Sequence, residues 1–163
     1  MSIEIKLPSG HIALIDDCDA DLAGRSWYCN TSGKNFYAAH RYAHKTTYLH
    51  RAILSRLLGR ELVKGEVVDH IDGDGLNNTR SNLRLATQSQ NMGNQGRSIA
   101  NTSGFKGVSW HKGRGKWQAQ IKVGRVNKWI GCYDDPAEAH AAYMTAACEL
   151  FGEFANNGKG GAK

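Results

Sequence analysis

The run Val67-Val68-Asp69-His70-Ile71-Asp72-Gly73-Asp74-Gly75-Leu76-Asn77-Asn78-Thr79-Arg80-Ser81-Asn82-Leu83-Arg84-Leu85 holds two short apolar pieces, Val67-Val68 and Leu83 to Leu85, separated by turn formers. Two β-type segments joined by a loop at Asp72 to Asn82 are the reading this composition supports. Thr87 and Gln90 then stand at the T-x-x-Q spacing of a capping box, whose two side chains satisfy the first free amides of a helix. Strand, loop, strand, helix follows. In that order the end of the first strand, Asp69-His70, can face the first turn of the helix, which carries Asn91.

Outward from this unit, Ile3, Ile5 and Leu7 alternate with polar residues, Ser9-Gly10 breaks the run and Ile12 to Ile15 resumes it, as in a hairpin. Further short strands are expected around Trp27 to Cys29 and Phe36 to Tyr42. Leu49, Ile53, Leu54, Leu57 and Leu58 recur at helical spacing and Gly59 lies where such a helix would stop. Met92 to Gly104 is rich in Gly, Asn and Ser and reads as a linker. Beyond it Trp117, Ala119, Ile121 and Val123 alternate with Gln118, Gln120 and Lys122, the pattern of a half-buried strand, and a neighbour is expected over Lys128 to Tyr133. Asp135 as N-cap, Pro136 at the first helical position and a stripe of Ala139, Tyr143, Ala146, Ala147 and Leu150 predict a closing helix that ends at Gly152. The fold class is therefore α+β: a small β-rich N-terminal region, a central strand-loop-strand-helix unit, and a C-terminal three-stranded antiparallel sheet packed on one helix. The boundaries expected are 1-94, a linker at 95-103, and 104-163.

Composition narrows the function. The 163 residues are 40% hydrophobic, enough for one modest core or two small ones. No apolar run approaches a bilayer span and Met1 to Lys6 lacks the features of a signal peptide, so a soluble, intracellular (cytoplasmic) protein without membrane partners is expected. Cys18, Cys29, Cys132 and Cys148 show no C-x-x-C pairing and read as small, reduced core residues. Lys and Arg number 21 against 15 Asp and Glu, a net +6 that favours a polyanionic partner. Between Phe105 and Tyr133 stand Lys106, Lys112, Arg114, Lys116, Lys122, Arg125 and Lys128 and no carboxylate, which marks a candidate phosphate-contacting surface.

The Asp69 carboxylate and the Asn91 amide oxygen are hard donors suited to Mg²⁺ or a similar cation that keeps several waters and can also take a phosphate oxygen. His70 points to the other side of an extended strand and, with an ordinary pKa of about 6.5, suits proton abstraction from water near neutral pH. Asn82 carries both donors and acceptors with which to cross-link the loop and hold His70. These residues suggest a phosphodiester hydrolase.

The blocks Val68-Asp69-His70-Ile71-Asp72-Gly73, Asn77-Asn78, Ser81-Asn82-Leu83-Arg84 and Gln90-Asn91 closely resemble the HNH endonucleases, particularly the free-standing and intron-encoded phage homing type. The resemblance implies a ββα-metal fold with His70 as general base, Asp69 and Asn91 as ligands of one divalent ion, Mg²⁺ or Mn²⁺, and Asn82 as the loop-stabilising residue. It also implies products with a 5′-phosphate and a 3′-hydroxyl. Asn91 replaces the motif's final histidine, as in part of that family.

A second resemblance covers roughly Ser103 to Phe154. Phe105-Lys106-Gly107-Val108, Gly115-Lys116-Trp117, Ala119-Gln120-Ile121, Trp129-Ile130-Gly131 and Ala137-Glu138-Ala139 through Phe151-Gly152 are similar to the Apetala-type DNA-binding domain of plant ethylene-response factors. That domain reads the major groove of duplex DNA with its sheet. By this resemblance Lys106, Arg114, Trp117, Gln120, Lys122, Lys128 and Trp129 occupy comparable strand positions, and Lys106, Arg114, Lys116, Gln120, Lys122, Arg125 and Lys128 are the candidate DNA contacts. Ser109 stands where the family often has arginine.

Plainer readings exist for several residues. Asp72 and Asp74 lack the third ligand and downstream glutamate of a calcium loop and read as turn formers. His40, His44 and His50 read as structural or DNA-facing, with His50 near the active centre. Arg51, Arg56, Arg60 and Lys64 are phosphate contacts or one solvated helix face, and Trp117 reads as core. The rival functions are a non-catalytic DNA-binding regulator with an inert nuclease unit and an RNA-directed nuclease. One catalytic unit cuts one strand at a time, so a monomer would nick, whereas double-strand cleavage would need a homodimer or two sequential cuts.

Overall fold

The computed structural model describes residues 1–98 and 100–158, and contacts divide the chain into two units, Met1–Ala86 and Thr87–Lys163. The first unit begins with β1 (Ser2–Lys6) and β2 (Ile12–Asp16), paired antiparallel with Ile3 opposite Ile15 and Ile5 opposite Ala13. The expected hairpin is present because every second residue of both strands is apolar and faces inward. A 3-10 helix over Asp17–Gly24 leads to a second sheet, in the order β3 (Tyr28–Ser32), β4 (Asn35–Tyr42), β5 (Lys45–Tyr48). Trp27 is core rather than strand, 4% exposed with its indole N–H donating to the Leu22 carbonyl at 2.7 Å.

Helix α1 (Leu49–Leu58) ends as its sequence predicts, on Gly59 in the left-handed region, whose N–H returns to the last turn. Its buried stripe is shorter than expected. Leu49, Ile53 and Leu54 are buried, whereas Leu57 and Leu58 are 47% and 36% exposed. Strands β6 (Glu66–His70) and β7 (Leu83–Thr87) form a two-stranded sheet, with the loop between them inside the same unit. One core runs through most of these elements, including Ile5, Leu7, Ile15, Leu22, Ile53, Leu54, Leu76 and Leu83. Each such Leu or Ile contributes about 1.5–3 kcal/mol by leaving water.

In the second unit α2 (Gln88–Asn94) carries the predicted capping box: the Thr87 hydroxyl accepts from the Gln90 N–H and the Gln90 side chain accepts from the Thr87 N–H. Within 95–103 the Asn101 amide donates to the carbonyls of Phe105 and Val108, and the Ser103 hydroxyl to that of Val108. The sheet has the order β10-β9-β8, with β8 (Val108–His111), β9 (Lys116–Val123) and β10 (Val126–Tyr133). Asp135 caps α3 (Pro136–Phe151) through the Ala137 N–H at 2.9 Å, with Pro136 at its start and Gly152 at its end. Val108, Ala119 and Ile121 of the sheet and Ala139, Tyr143, Ala147 and Phe151 of α3 are the buried set. Leu150, expected in that stripe, is 41% exposed and Phe151 takes the inward place. Gly107 precedes β8 at φ +75, and a Cβ there would collide with the Tyr143 ring. A larger residue is therefore excluded twice.

Of the cysteines expected in the core, Cys29 packs half-buried against it, Cys132 is half-buried, and Cys18 and Cys148 are exposed; all four are free thiols. Among the described residues no helix is long and apolar enough to cross a membrane.

Candidate functional site

The loop between β6 and β7 is held by side-chain amides and carboxylates. The Asn82 Oδ1 accepts from the Asp72 N–H at 3.0 Å, and its Nδ2 donates to Asp72 Oδ1 at 2.9 Å and to the Asn77 carbonyl at 2.8 Å. Its own carbonyl accepts from the Ile71 N–H at 2.9 Å. Four contacts from one 8%-exposed residue thus close the loop immediately after His70. Asp72 and Asp74 serve as turn formers, accepting from the backbone N–H groups of Asp74 and Leu76 at 2.8 and 2.9 Å.

The loop is also docked on the N-terminal hairpin. Leu14 of β2 bonds through its N–H to the Leu76 carbonyl at 2.9 Å and through its carbonyl to the Asn78 N–H at 2.8 Å. At the other end the Arg80 guanidinium donates twice to Asp19, at 2.8 and 3.0 Å, and the Arg80 N–H donates to Asp16 at 2.7 Å. Asp19 is fully buried, and hydrogen bonds from Arg80, outweighing the opposing cost of burial, hold its carboxyl below the usual carboxylate range. The N-terminal region is therefore a clamp on the loop.

His70 sits at the end of β6, 7% exposed, within a cluster of rings. The His50 ring meets it edge-on at 5.2 Å between centroids, Tyr37 lies 6.1 Å away, and Tyr48 stacks on His50 at 5.4 Å. Burial is the largest influence on His70 and lowers its pKa, against the smaller raising effects of Asn78 and of the carboxylates of Asp72, Asp69 and Asp74. His50 is pushed down to about 3 by burial, then by the charges of His70 and Arg51, and its Nδ1 is buried without a hydrogen-bond partner. Asn78, fully buried, donates through Nδ2 to the Leu76 carbonyl at 2.8 Å, so its Oδ1 faces His70 Nε2 at 3.5 Å. That orientation favours a proton on Nε2.

Asp69 is 1% exposed and its Oδ2 accepts from Arg84 Nε at 2.7 Å. Asn91 lies on α2, half-buried, its carbonyl accepting from the Gln95 N–H at 3.2 Å. Among the described residues no group of three or more His, Cys, Asp or Glu is gathered as a metal cage. The Asp69 carboxylate is a hard oxygen donor, the kind that suits a cation keeping most of its waters.

On the C-terminal sheet the register separates the candidate DNA contacts. Ser109 pairs with Gln118, Lys122 with Asn127 and Gln120 with Trp129, and these residues line the face opposite the Val108–Ala119 row that α3 covers. The register shifts by a bulge between Trp129 and Gly131, just after Trp129, which is 47% exposed and stands opposite Gln120 on the open face. There Arg114, from the β8–β9 turn, lies 5.2 Å over the Trp129 ring, and the Gln120 amide donates to Gln118 and that of Gln118 to Ser109. Lys116 reaches Asp134 at 3.0 Å, and Lys122 and Arg125 are exposed. Lys128 pairs with Ile121 and leaves the strand on the helix side, although exposed. Lys106 is turned inward: its Nζ donates to the Gly93 carbonyl at 2.6 Å, lies 6.0 Å from the Tyr143 ring, and is lowered by burial to about 8. Trp117 is half-buried and meets Trp110 edge-on at 5.0 Å, on the helix-side row.

Sequence reasoning missed two residues of the site. Asn78 lay in a recognised block, yet its contact with His70 depends on a loop fold that spacing does not reveal. Tyr37 belongs to β4 and carries no local signal.

A family model described as HNH endonuclease matches residues 47–93. Protein 3.8 of Escherichia phage T7 is 39% identical over 93 residues, covering 56% of this chain and 75% of that protein. An uncharacterized HNH endonuclease, L560, of Acanthamoeba polyphaga mimivirus is 35% identical over 129 residues, 79% of this chain and 64% of that one. The ethylene-responsive transcription factor ERF069 of Arabidopsis thaliana is 35% identical over 99 residues, 58% of this chain and 60% of that protein. This chain thus spans less than two thirds of the last two. No solved structure matches it.

Proposed function

Residues 47–93 match an HNH endonuclease domain, and from that premise we propose that the chain is a divalent-metal-dependent DNA endonuclease of the phage homing type, which nicks duplex DNA as a monomer. Residues 1-94 hold the cutting chemistry, 95-103 connect, and 104-163 grip the duplex with the open face of the sheet. The observation that carries the reading is the buried His70 at a loop end fixed by Asn82, one residue from the buried carboxylate of Asp69.

In this reading Asp69 and Asn91 are the residues that would hold Mg²⁺ or Mn²⁺, and such an ion would supply charge stabilisation to the scissile phosphate. His70, neutral near pH 7 because burial lowers its pKa, takes a proton from the attacking water, with the Asn78 amide oxygen facing its Nε2. Asn82 keeps the loop, and with it the imidazole, in one geometry. Arg84 balances Asp69. Arg114, Lys116, Gln120, Lys122 and Arg125 contact the duplex, and Trp129 stacks between Arg114 and the DNA. Lys106 is left out of this set because its ammonium is spent on Gly93.

Supercoiled plasmid incubated with the full chain and Mg²⁺ should accumulate as nicked circles, and chelator should stop the reaction. Plasmid that stays supercoiled with Mg²⁺ and with Mn²⁺, yet is retained by the protein, would leave the DNA-binding regulator in its place.

A further inference from the structure

The first unit contains a cleft of about 680 Å³ between β5 and α1, with Arg25, Lys45, Arg51, Arg56 and Arg60 among its walls and Glu61 as the carboxylate on them. Two of these cations are already neutralised. Arg56 is bidentate on Asp21, at 2.7 and 2.6 Å, and Arg60 is bidentate on Glu66, at 2.8 Å to each oxygen. Among the described residues no carboxylate lies within ion-pairing distance of Lys45 or Arg51, and Arg25 has only the longer-range influence of Asp21. A concave surface carrying uncompensated positive charge concentrates anions.

The cleft adjoins the ring cluster around His70 through Tyr48. Tyr48 lines it, the Tyr48 ring stacks on His50, and His50 meets His70. Arg51 follows His50 on α1, so the helix that supports the cluster also supplies the cleft's inner cation. Lys45 is presented by a tight hairpin: Tyr42 pairs with Lys45, and the two residues between, Ala43 and His44, both have positive φ, 46 and 66. Such turns normally carry Asn-Gly, and non-glycine residues there cost stability, which is tolerated where a short, stiff tip is needed.

We infer that this cleft is a phosphate-backbone track for DNA beside the cutting site, with Lys45 and Arg51 as its contacts and Arg25 at its rim. It rests on the nuclease reading for the identity of the polyanion, and it gives the cutting unit a sequence-independent hold on DNA separate from the C-terminal sheet.

The test is the salt dependence of duplex binding by the full chain, measured in calcium to prevent turnover, on two unrelated sequences. Lys45→Gln and Arg51→Gln together should lower the slope of log Kd against log salt by about 1.8, roughly 0.9 for each contact, equally for both sequences. Lys45 is exposed at a hairpin end, so Lys45→Gln alone preserves the fold and should lower the slope by about 0.9. Arg51→Lys should keep it. An unchanged slope in Lys45→Gln overturns the proposal, as does a loss confined to one sequence. Wild-type nicking with unchanged slopes removes the track alone, and reduced slopes without any nicking remove the nuclease reading and leave the track. If duplex RNA competes as well as DNA for the wild type but not for the double variant, DNA as the occupant is wrong.

Discussion

Replacing Asn82 by alanine deletes three side-chain hydrogen bonds from a residue 8% exposed: one from the Asp72 N–H and two donated to Asp72 and the Asn77 carbonyl. At roughly 1 kcal/mol each, with more for the bond to an ionised acceptor and less where exposed Asp72 can turn to water, the loss comes to about 3 kcal/mol. That is about a hundredfold in the folded-to-unfolded ratio of the first unit. Urea unfolding should report it directly, and hydrogen exchange should show the Asp72 amide losing protection. Asn82→Asp sharpens the argument, because it keeps the acceptor for the Asp72 N–H but points a carboxylate at the Asp72 carboxylate and the Asn77 carbonyl. Repulsion raises the folded-state pKa of the introduced carboxyl above its unfolded value, so its damage is greatest at neutral pH and lessens as the pH falls through that raised value. Stabilities of Asn82→Ala within 0.5 kcal/mol of wild type, or an Asn82→Asp deficit independent of pH, would refute the idea that Asn82 closes the loop.

His50 is neutral in the folded protein with its pKa pushed down to about 3, against about 6.5 when unfolded. The unfolded chain therefore gains a proton first as the pH drops, and His50 subtracts up to ~1.4 kcal/mol per pH unit below 6.5. His50→Phe removes an unpartnered buried nitrogen and should flatten stability between pH 6.5 and 4 in chemical denaturation, whereas a variant as acid-sensitive as wild type contradicts this. Asn-Gly in place of Ala43-His44 should stabilise the first unit by about 1 kcal/mol in thermal melts, since both positions hold positive φ. Gly107→Ala should cost at least ~3 kcal/mol in the second unit, because the new methyl meets the Tyr143 ring at φ +75; retained near-ultraviolet circular dichroism and melting temperature would show that the ring can yield.

What the sequence made legible was whatever is written in local chemistry. The Thr87 and Gln90 box, Asp135-Pro136, Gly59 after Leu58 and the alternation over β9 each fix backbone conformation through their own neighbours, and each element stands where they place it. The reading failed where a partner's extent decides the outcome. Leu57, Leu58 and Leu150 continue their helical stripes in sequence but extend past the surfaces that cover the rest. Strand β5, Lys-Thr-Thr-Tyr, is too short to show a period and exists because β4 pairs with it. Lys106 counted among seven cations in a carboxylate-free run, yet charge patterning does not register that its stem is buried against Tyr143. The site divided along the same line. Asp69, His70 and Asn82 are spelled out within one strand-and-loop stretch, while Asn78, Tyr37 and the Tyr48-His50 stack act on His70 only through tertiary contact.

Single-turnover cleavage of a duplex by His70→Ala, with binding measured alongside, is the most direct test of a buried imidazole as the base of a DNA-cutting centre. The rate constant should fall by about 10²- to 10⁴-fold at pH 7 in saturating Mg²⁺ while Kd for the duplex stays within about twofold of wild type. Cleavage by the folded variant at the wild-type rate would contradict it.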